Sequence, residues 1–87
     1  MGFPELHAEL VYFVDVPSEI EEHVKKVKEI VDTDLHVTVG PTVVEDEPVI
    51  EVRIDFKKMY VNFEDIVSTI SQLLLQQPDS YEFHIRW

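Results

Sequence analysis

The sequence predicts an α+β fold in which two helices cover one face of a four-stranded antiparallel sheet. Four segments alternate apolar and polar residues or are rich in β-branched and aromatic side chains, which is typical of strands. Two segments repeat apolar residues every three or four positions, which is typical of amphipathic helices. The order along the chain is β-α-β-β-α-β. Right-handed crossovers and un-knotted connections favour the ferredoxin-like two-layer sandwich with sheet order 4-1-3-2, and we expect residues 1–87 to form one such domain.

The first strand is predicted over about residues 6–16 and is apolar on both faces. One set of alternating residues is assigned to the core: Leu10, Tyr12, Val14 and Val16. Val11 and Phe13 alternate with them and share the opposite face with charged residues. Such a strand is expected near the middle of a sheet.

The first helix is predicted over residues 18–32. Ser18 and Glu21 match the S-x-x-E capping box, in which each side chain bonds a free backbone amide of the first turn. Its apolar stripe is assigned to the core: Ile20, Val24, Val27, Ile30 and Val31. Residues 32–34 form the turn that follows.

A hairpin is predicted next. Residues 35–39 alternate as a half-buried strand, Gly40-Pro41 interrupts it, and residues 42–44 resume it. Residues 45–48 form a polar tip. Residues 50–56 alternate most clearly of all and pair antiparallel with the preceding strand.

The second helix begins after Asn62, which is a favourable N-cap residue, and Pro78 ends it at about Gln77. Its apolar stripe is assigned to the core: Phe63, Ile66, Val67, Ile70, Leu73 and Leu74. Its solvent face is assigned to Ser68, Thr69, Ser71 and Gln72. Residues 81–87 form the last strand.

Composition excludes several function classes. Eighteen Asp and Glu against seven Lys and Arg give a net charge of -11, which disfavours binding to nucleic acid and to anionic membranes. The absence of cysteine excludes disulfides, thiolate metal sites and cysteine nucleophiles. Two glycines are too few for a phosphate-binding Gly-rich loop. Without a signal peptide or an apolar span, the expected location is the cytoplasm, as a soluble protein.

No catalytic residue, cofactor site or metal site is predicted. The four histidines lack the helical or same-strand spacing of a metal pair, and His36 and His84 fall on opposite edge strands. The hydroxyls of the second helix have no histidine near them in sequence. An RNA-binding sheet needs aromatic residues on its central strands, and the open face offers only Phe13.

Three functions remain open. The first is a stable scaffold without evolved activity, designed or redesigned, because the caps, stripes and strands agree with one another. The second is a protein-interaction or homodimerisation module that uses the open sheet face, with these candidate residues: Val11, Phe13, Arg53, His84 and Arg86. The third is an acidic inhibitor of a basic or nucleic-acid-binding protein, in which surface carboxylates imitate phosphates; its charged elements would be the 45–47 tip and the first turn of the helix over residues 18–32.

Overall fold

The computed structural model describes residues 2–87. Its elements are β1 (Glu5–Val14), α1 (Ser18–Val31), β2 (His36–Val44), β3 (Glu47–Met59), α2 (Phe63–Leu74) and β4 (Ser80–Arg86). All paired strands are antiparallel, and they lie in the order β2-β3-β1-β4. This is the predicted order read from the other edge, so the ferredoxin-like βαββαβ sandwich is confirmed.

The core lies between the sheet and the two helices. The even-numbered residues of β1 and β3 face it, because side chains alternate along a strand. Helix α1 contributes Val27 and Val31, and α2 contributes Ile66 and Leu73, all fully buried. The largest fully buried side chains are Leu6, Leu10, Ile54, Ile66, Leu73, Val27, Val31 and Val52. The stripe predicted for α1 is therefore confirmed as core.

Strand β1 ends two residues earlier than predicted. The Glu19 N–H donates to the Val16 carbonyl at 3.2 Å, so the chain already turns towards the helix at Val16. Pro17 has the helical angles φ -58 and ψ -27. Val16 is consequently 47% exposed, and its assignment to the core was wrong.

The capping box predicted for α1 was also wrong. Ser18 is the first helical residue, Pro17 occupies the N-cap position, and no side chain in the described range 2–87 caps the helix. The Ile20 N–H donates to the Pro17 carbonyl at 3.1 Å, so backbone groups satisfy the first turn. Pro17 is suited to this place because its ring fixes φ near the helical value.

The hairpin strands are longer than predicted. Strand β2 continues through Gly40 and Pro41 without a break in its register with β3. Glu45 and Asp46 adopt positive φ angles of 51 and 65, which is the geometry of a tight two-residue hairpin turn. Because this turn is so short, Glu47 and Pro48 belong to β3 and not to the tip.

Helix α2 begins as predicted. The Asn62 Oδ1 accepts the Asp65 N–H at 2.9 Å, which is an N-cap bond. The helix ends at Leu74, three residues before the predicted end. Thr69, assigned to the solvent face, is only 7% exposed, because it lies beside Ile66 and Leu73 on the buried side.

Candidate interaction surfaces

The sheet has an open face on the side away from the helices, and the predicted interface residues lie there. Val11 stands opposite Arg53 on β3 and opposite Ser80 on β4. It is only 5% exposed and lies outside the core cluster, so its own neighbours on the open face already cover it. Phe13 is half-buried. The apolar centre predicted for this face is therefore small in the single chain.

Arg53 is held by carboxylates on this face. Its guanidinium lies 3.2 Å from the Glu9 carboxylate and 3.4 Å from that of Glu51. The negative charge of Glu9, followed by the bond to Glu51, raises the pKa of Arg53 above its ordinary value. Arg53 thus balances acidic side chains on two adjacent strands.

His84 and Arg86 project from the same face of β4. The His84 Nε2 lies 3.2 Å from the Glu82 carboxylate. Arg86 is exposed and stands opposite Glu5, yet it forms no ion pair with any residue between 2 and 87. Glu5 instead contacts His7 at 2.7 Å and Lys57 at 4.0 Å. Arg86 is therefore free to meet an external carboxylate.

One end of the open face forms a cleft of about 670 Å³. The residues that line it are His7, Ala8, Glu9, Thr33, Asp34, Leu35, His36, Asp55, Phe56, Lys57, Glu82 and His84. The register places His7 directly opposite His84, a pairing that sequence spacing could not reveal. Within the described chain, no three His, Asp or Glu side chains are arranged to share a metal ion.

A second surface lies on α2, and the sequence interpretation missed it. The stripe assigned wholly to the core divides into two sides. Ile66 and Leu73 are fully buried, whereas Phe63 and Val67 are 47% exposed and Leu74 is 38% exposed. The stripe is therefore wider than the core requires, and its second side meets solvent.

The exposed side of α2 faces the edge strand β4. Gln72 and Gln76 line a groove together with Lys26, Glu29 and Ile30 of α1, so that side of α2 faces α1. Phe63, Val67 and Leu74 lie on the opposite side by helical periodicity. The ring of Phe63 stacks on Trp87, just beyond β4, with centroids 6.3 Å apart.

Strand β4 and the residue that follows it add further apolar side chains. Tyr81 is 54% exposed and Trp87 is 79% exposed, and Tyr81 packs against Phe83 with ring centroids 5.5 Å apart. We call the following residues, together with the outer backbone of β4, the edge surface: Phe63, Val67, Leu74, Tyr81 and Trp87. Contiguous exposed apolar patches on small proteins commonly mark interaction sites.

Among residues 2–87, no strand pairs with the outer side of β4. The Tyr60 N–H donates to the Pro4 carbonyl, so even-numbered residues at this end of β1 direct their backbone groups to β3. Odd-numbered residues direct theirs to β4, and the Val11 carbonyl indeed accepts the Asp79 N–H at 2.9 Å. By the same alternation, Tyr81, Phe83 and Ile85 present their N–H and carbonyl groups outward.

The two edges of the sheet differ. On β2 the outward positions include Pro41, which has no N–H and interrupts the row of donors. Strand β4 contains neither proline nor lysine, the two residues that most often protect an edge. Backbone pairing with another chain is therefore easiest at β4.

No protein-family model matches this sequence, and no curated protein matches it. Among solved structures, CutA from Synechococcus elongatus PCC7942 complexed with Bis-Tris has a TM-score of 0.54 and 16% identity, over 99% of this chain and 82% of that one. PII from Arabidopsis thaliana bound to citrate has a TM-score of 0.50 and 14% identity, over 97% and 75%. At these identities the likeness shows the ferredoxin-like fold alone.

The de novo designed protein Foldit4 is also similar, with a TM-score of 0.45 and 20% identity, over 94% of this chain and 93% of that one.

Among residues 2–87, neither helix is both long and apolar enough to cross a membrane.

Proposed function

We propose that this chain is a non-catalytic protein-interaction domain that binds its partner along the edge surface. The observation that carries the proposal is the coincidence of exposed apolar side chains with an unprotected strand edge. The apolar side chains provide area to remove from water, at about 25 cal/mol per Å². The outward N–H and carbonyl groups of β4 fix the orientation of the partner, since an added strand forms hydrogen bonds with them.

The open sheet face is the second candidate surface for binding. Its support is the half-exposed ring of Phe13, the unpaired Arg86 and the cleft beside His84. These features suit a polar partner, because charged groups surround the small apolar centre. The edge surface is favoured because it exposes more apolar side chains and offers main-chain pairing.

The experiment is a titration of the isotope-labelled protein with a blocked nonapeptide of alternating valine and lysine, followed by amide NMR shifts. The peptide forms strands readily and has a charge opposite to that of the protein. We expect shifts at Tyr81, Phe83 and Ile85 and along α2, because a strand added at β4 bonds those amides. Shifts confined to β2 would overturn the proposal.

Two matched variants provide the control. Val67→Lys places a positive charge, like those of the peptide, on the edge surface, and Val39→Lys places the same charge on β2. The two valines are 47% and 51% exposed, so both variants should keep the fold. Val67→Lys is expected to weaken peptide binding about tenfold, because it places like charges together, and Val39→Lys should leave it unchanged. Equal effects would indicate attraction by net charge alone.

The same titration separates the other interpretations. Shifts centred on Phe13 and Arg53 would favour the open face. Shifts at the exposed tip residues Glu45 and Asp46 would favour an acidic inhibitor. A designed or redesigned scaffold without a partner predicts no localised shift at any of these places.

A further inference from the structure

We infer that the partner of the edge surface is a second copy of this chain, which docks with β4 antiparallel to β4. This inference rests on the proposed function and names the partner. The assembly would have twofold symmetry and one continuous sheet of eight strands, four from each copy. Three features of β4 lead to it: the direction of its backbone groups, the arrangement of its charges and the position of α2.

The backbone directions restrict the pairing. Only the odd-numbered residues of β4 direct their backbone N–H and carbonyl groups outward. An antiparallel pair of β4 strands must therefore place odd-numbered residues opposite odd-numbered residues. A twofold axis at Phe83 or at His84 satisfies this condition and keeps most of the strand paired. Registers shifted by one residue would place inward-facing groups at the interface and leave donors unpaired.

The charges of β4 select between the two axes. With the axis at His84, Glu82 stands opposite Arg86 of the second copy, and the pair occurs twice. With the axis at Phe83, Glu82 stands opposite His84 instead, and Arg86 stands opposite Ser80. Opposite charges directly across a strand pair are stabilising. The axis at His84 therefore gives the unpaired Arg86 a carboxylate partner.

The same register matches apolar residues on the helix side of the sheet. Phe83 stands opposite Ile85 of the second copy, and Tyr81 stands opposite Trp87. Aromatic and β-branched cross-strand pairs are among the more stabilising ones. One register therefore satisfies the backbone groups, the charges and the apolar side chains together.

Helix α2 accompanies β4 to the interface. The 75–79 connection is short, and the Phe63 ring stacks on Trp87, so α2 runs antiparallel beside β4. Its exposed side carries Val67 and Leu74 along the same edge. A twofold axis between the two β4 strands brings the α2 helices of the two copies side by side. Their contact covers the part of the apolar stripe of α2 that the core leaves exposed to solvent.

The experiment uses two charge reversals in the whole chain, E82R and R86E. Each variant places two like-charged pairs at the proposed interface, and we expect its dimer dissociation constant to rise about 30-fold. The double variant E82R/R86E restores opposite charges and should dimerise like the original chain. An equimolar mixture of the two single variants should form the mixed dimer. Sedimentation velocity and native mass spectrometry measure these states.

Glu45→Arg is the control for E82R, because it changes the net charge by the same amount at the exposed hairpin tip. It should leave the dissociation constant within about twofold, since the tip lies far from β4 in the sheet order. Circular dichroism checks that each variant is folded, which is expected because Glu82 and Arg86 are exposed. The measurements belong in about 0.15 M salt, where repulsion between the acidic chains is partly screened.

The possible results separate this inference from the proposed function. A monomer at millimolar concentration would overturn self-association, while the peptide titration would still test the edge surface. A dimer that E82R does not weaken, or that the double variant does not restore, would overturn the register proposed here. A mixed dimer formed by variants that are each monomeric would support it.

Discussion

Three consecutive leucines, two at the end of α2 and one just after it, test the division of its apolar stripe. Leu73 is 0% exposed, Leu74 is 38% exposed and Leu75 is 77% exposed. Replacing Leu73 with alanine removes buried atoms and leaves a cavity, which costs about 3 kcal/mol of unfolding free energy. Full burial of a leucine side chain contributes about 2 kcal/mol. Because Leu74 is only partly buried, replacing it with alanine should lower the free energy of unfolding by about 1 kcal/mol. For Leu75 the expected cost is below about 0.5 kcal/mol.

Urea unfolding of dilute protein measures this series. With a slope near 1 kcal/mol per M, the midpoints should fall by about 3 M, 1 M and less than 0.5 M, respectively. If Leu74→Ala cost as much as Leu73→Ala in dilute solution, α2 would be rotated from its described position and the edge surface would not exist. The slope itself should stay constant across the series, because the folded state does not change.

Protein concentration adds a second measurement on the same variants. If the edge surface binds a second copy, association stabilises the folded chain by mass action. The cost of Leu74→Ala should then increase with concentration, whereas that of Leu73→Ala should remain dominated by the core cavity. A cost of Leu74→Ala that is independent of concentration would count against a dimer at this surface.

Further predictions concern the caps and the buried phenols. Asn62→Ala should lower the free energy of unfolding by about 1 kcal/mol, because its side chain accepts the Asp65 N–H. Ser18→Ala should change that free energy by less than about 0.5 kcal/mol, because the Ser18 side chain caps no amide among residues 2–87. Tyr12→Phe should be neutral or stabilising by up to about 1 kcal/mol, since the buried hydroxyl has no partner within the described chain. Burial raises the pKa of Tyr12 and Tyr60 above the ordinary value of 10.0. The unfolded chain therefore ionises first, and stability, complete below about pH 10, should fall as pH rises through the higher folded pKa values; urea midpoints at increasing alkaline pH measure this.

Periodicity located α2 in the sequence but could not divide its stripe. The pattern of apolar residues identifies the side of a helix that avoids water. It does not state whether the fold or a partner covers that side. Leu73 and Leu74 are equivalent in the sequence pattern, and they differ only because β4 is the last strand of the sheet. The width of the stripe could have indicated the second surface, since packing against the core requires fewer apolar positions than α2 carries.

The local sequence motifs predicted some structural features and not others. Asn62 caps its helix as predicted, because nothing else competes for that amide. At the start of α1 the S-x-x-E motif did not form, because Pro17 occupies the N-cap position and Ser18 is already helical. The opposition of His7 and His84 depends on the register of β1 with β4. A register is a property of two strands, so the spacing within either strand could not predict it.

The contrast between the two sheet edges leads to a last prediction, for Pro41→Val. Pro41 lies opposite Ile50 in the middle of β2, at a position whose backbone groups point outward. Valine there would supply the missing N–H and join the exposed Val39 and Val43 in one apolar row. Both edge strands of the sheet could then pair with other copies. An interface between β2 of one copy and β4 of another leaves a free edge on each copy, so assembly does not stop at a dimer.

We therefore expect Pro41→Val to form higher assemblies whose light scattering increases with concentration, with the folded secondary structure retained in circular dichroism. Combining it with E82R should limit growth that needs the β4–β4 pair, because the charge reversal weakens that pair; growth that persists would join β2 of one copy to β4 of the next. Pro41→Thr is the matched control, since it restores the N–H with a polar side chain of similar size. If Pro41→Val remained in the same state as the original chain, the proline would not be what keeps β2 unpaired, and Pro41 would not explain why β4 is the preferred edge.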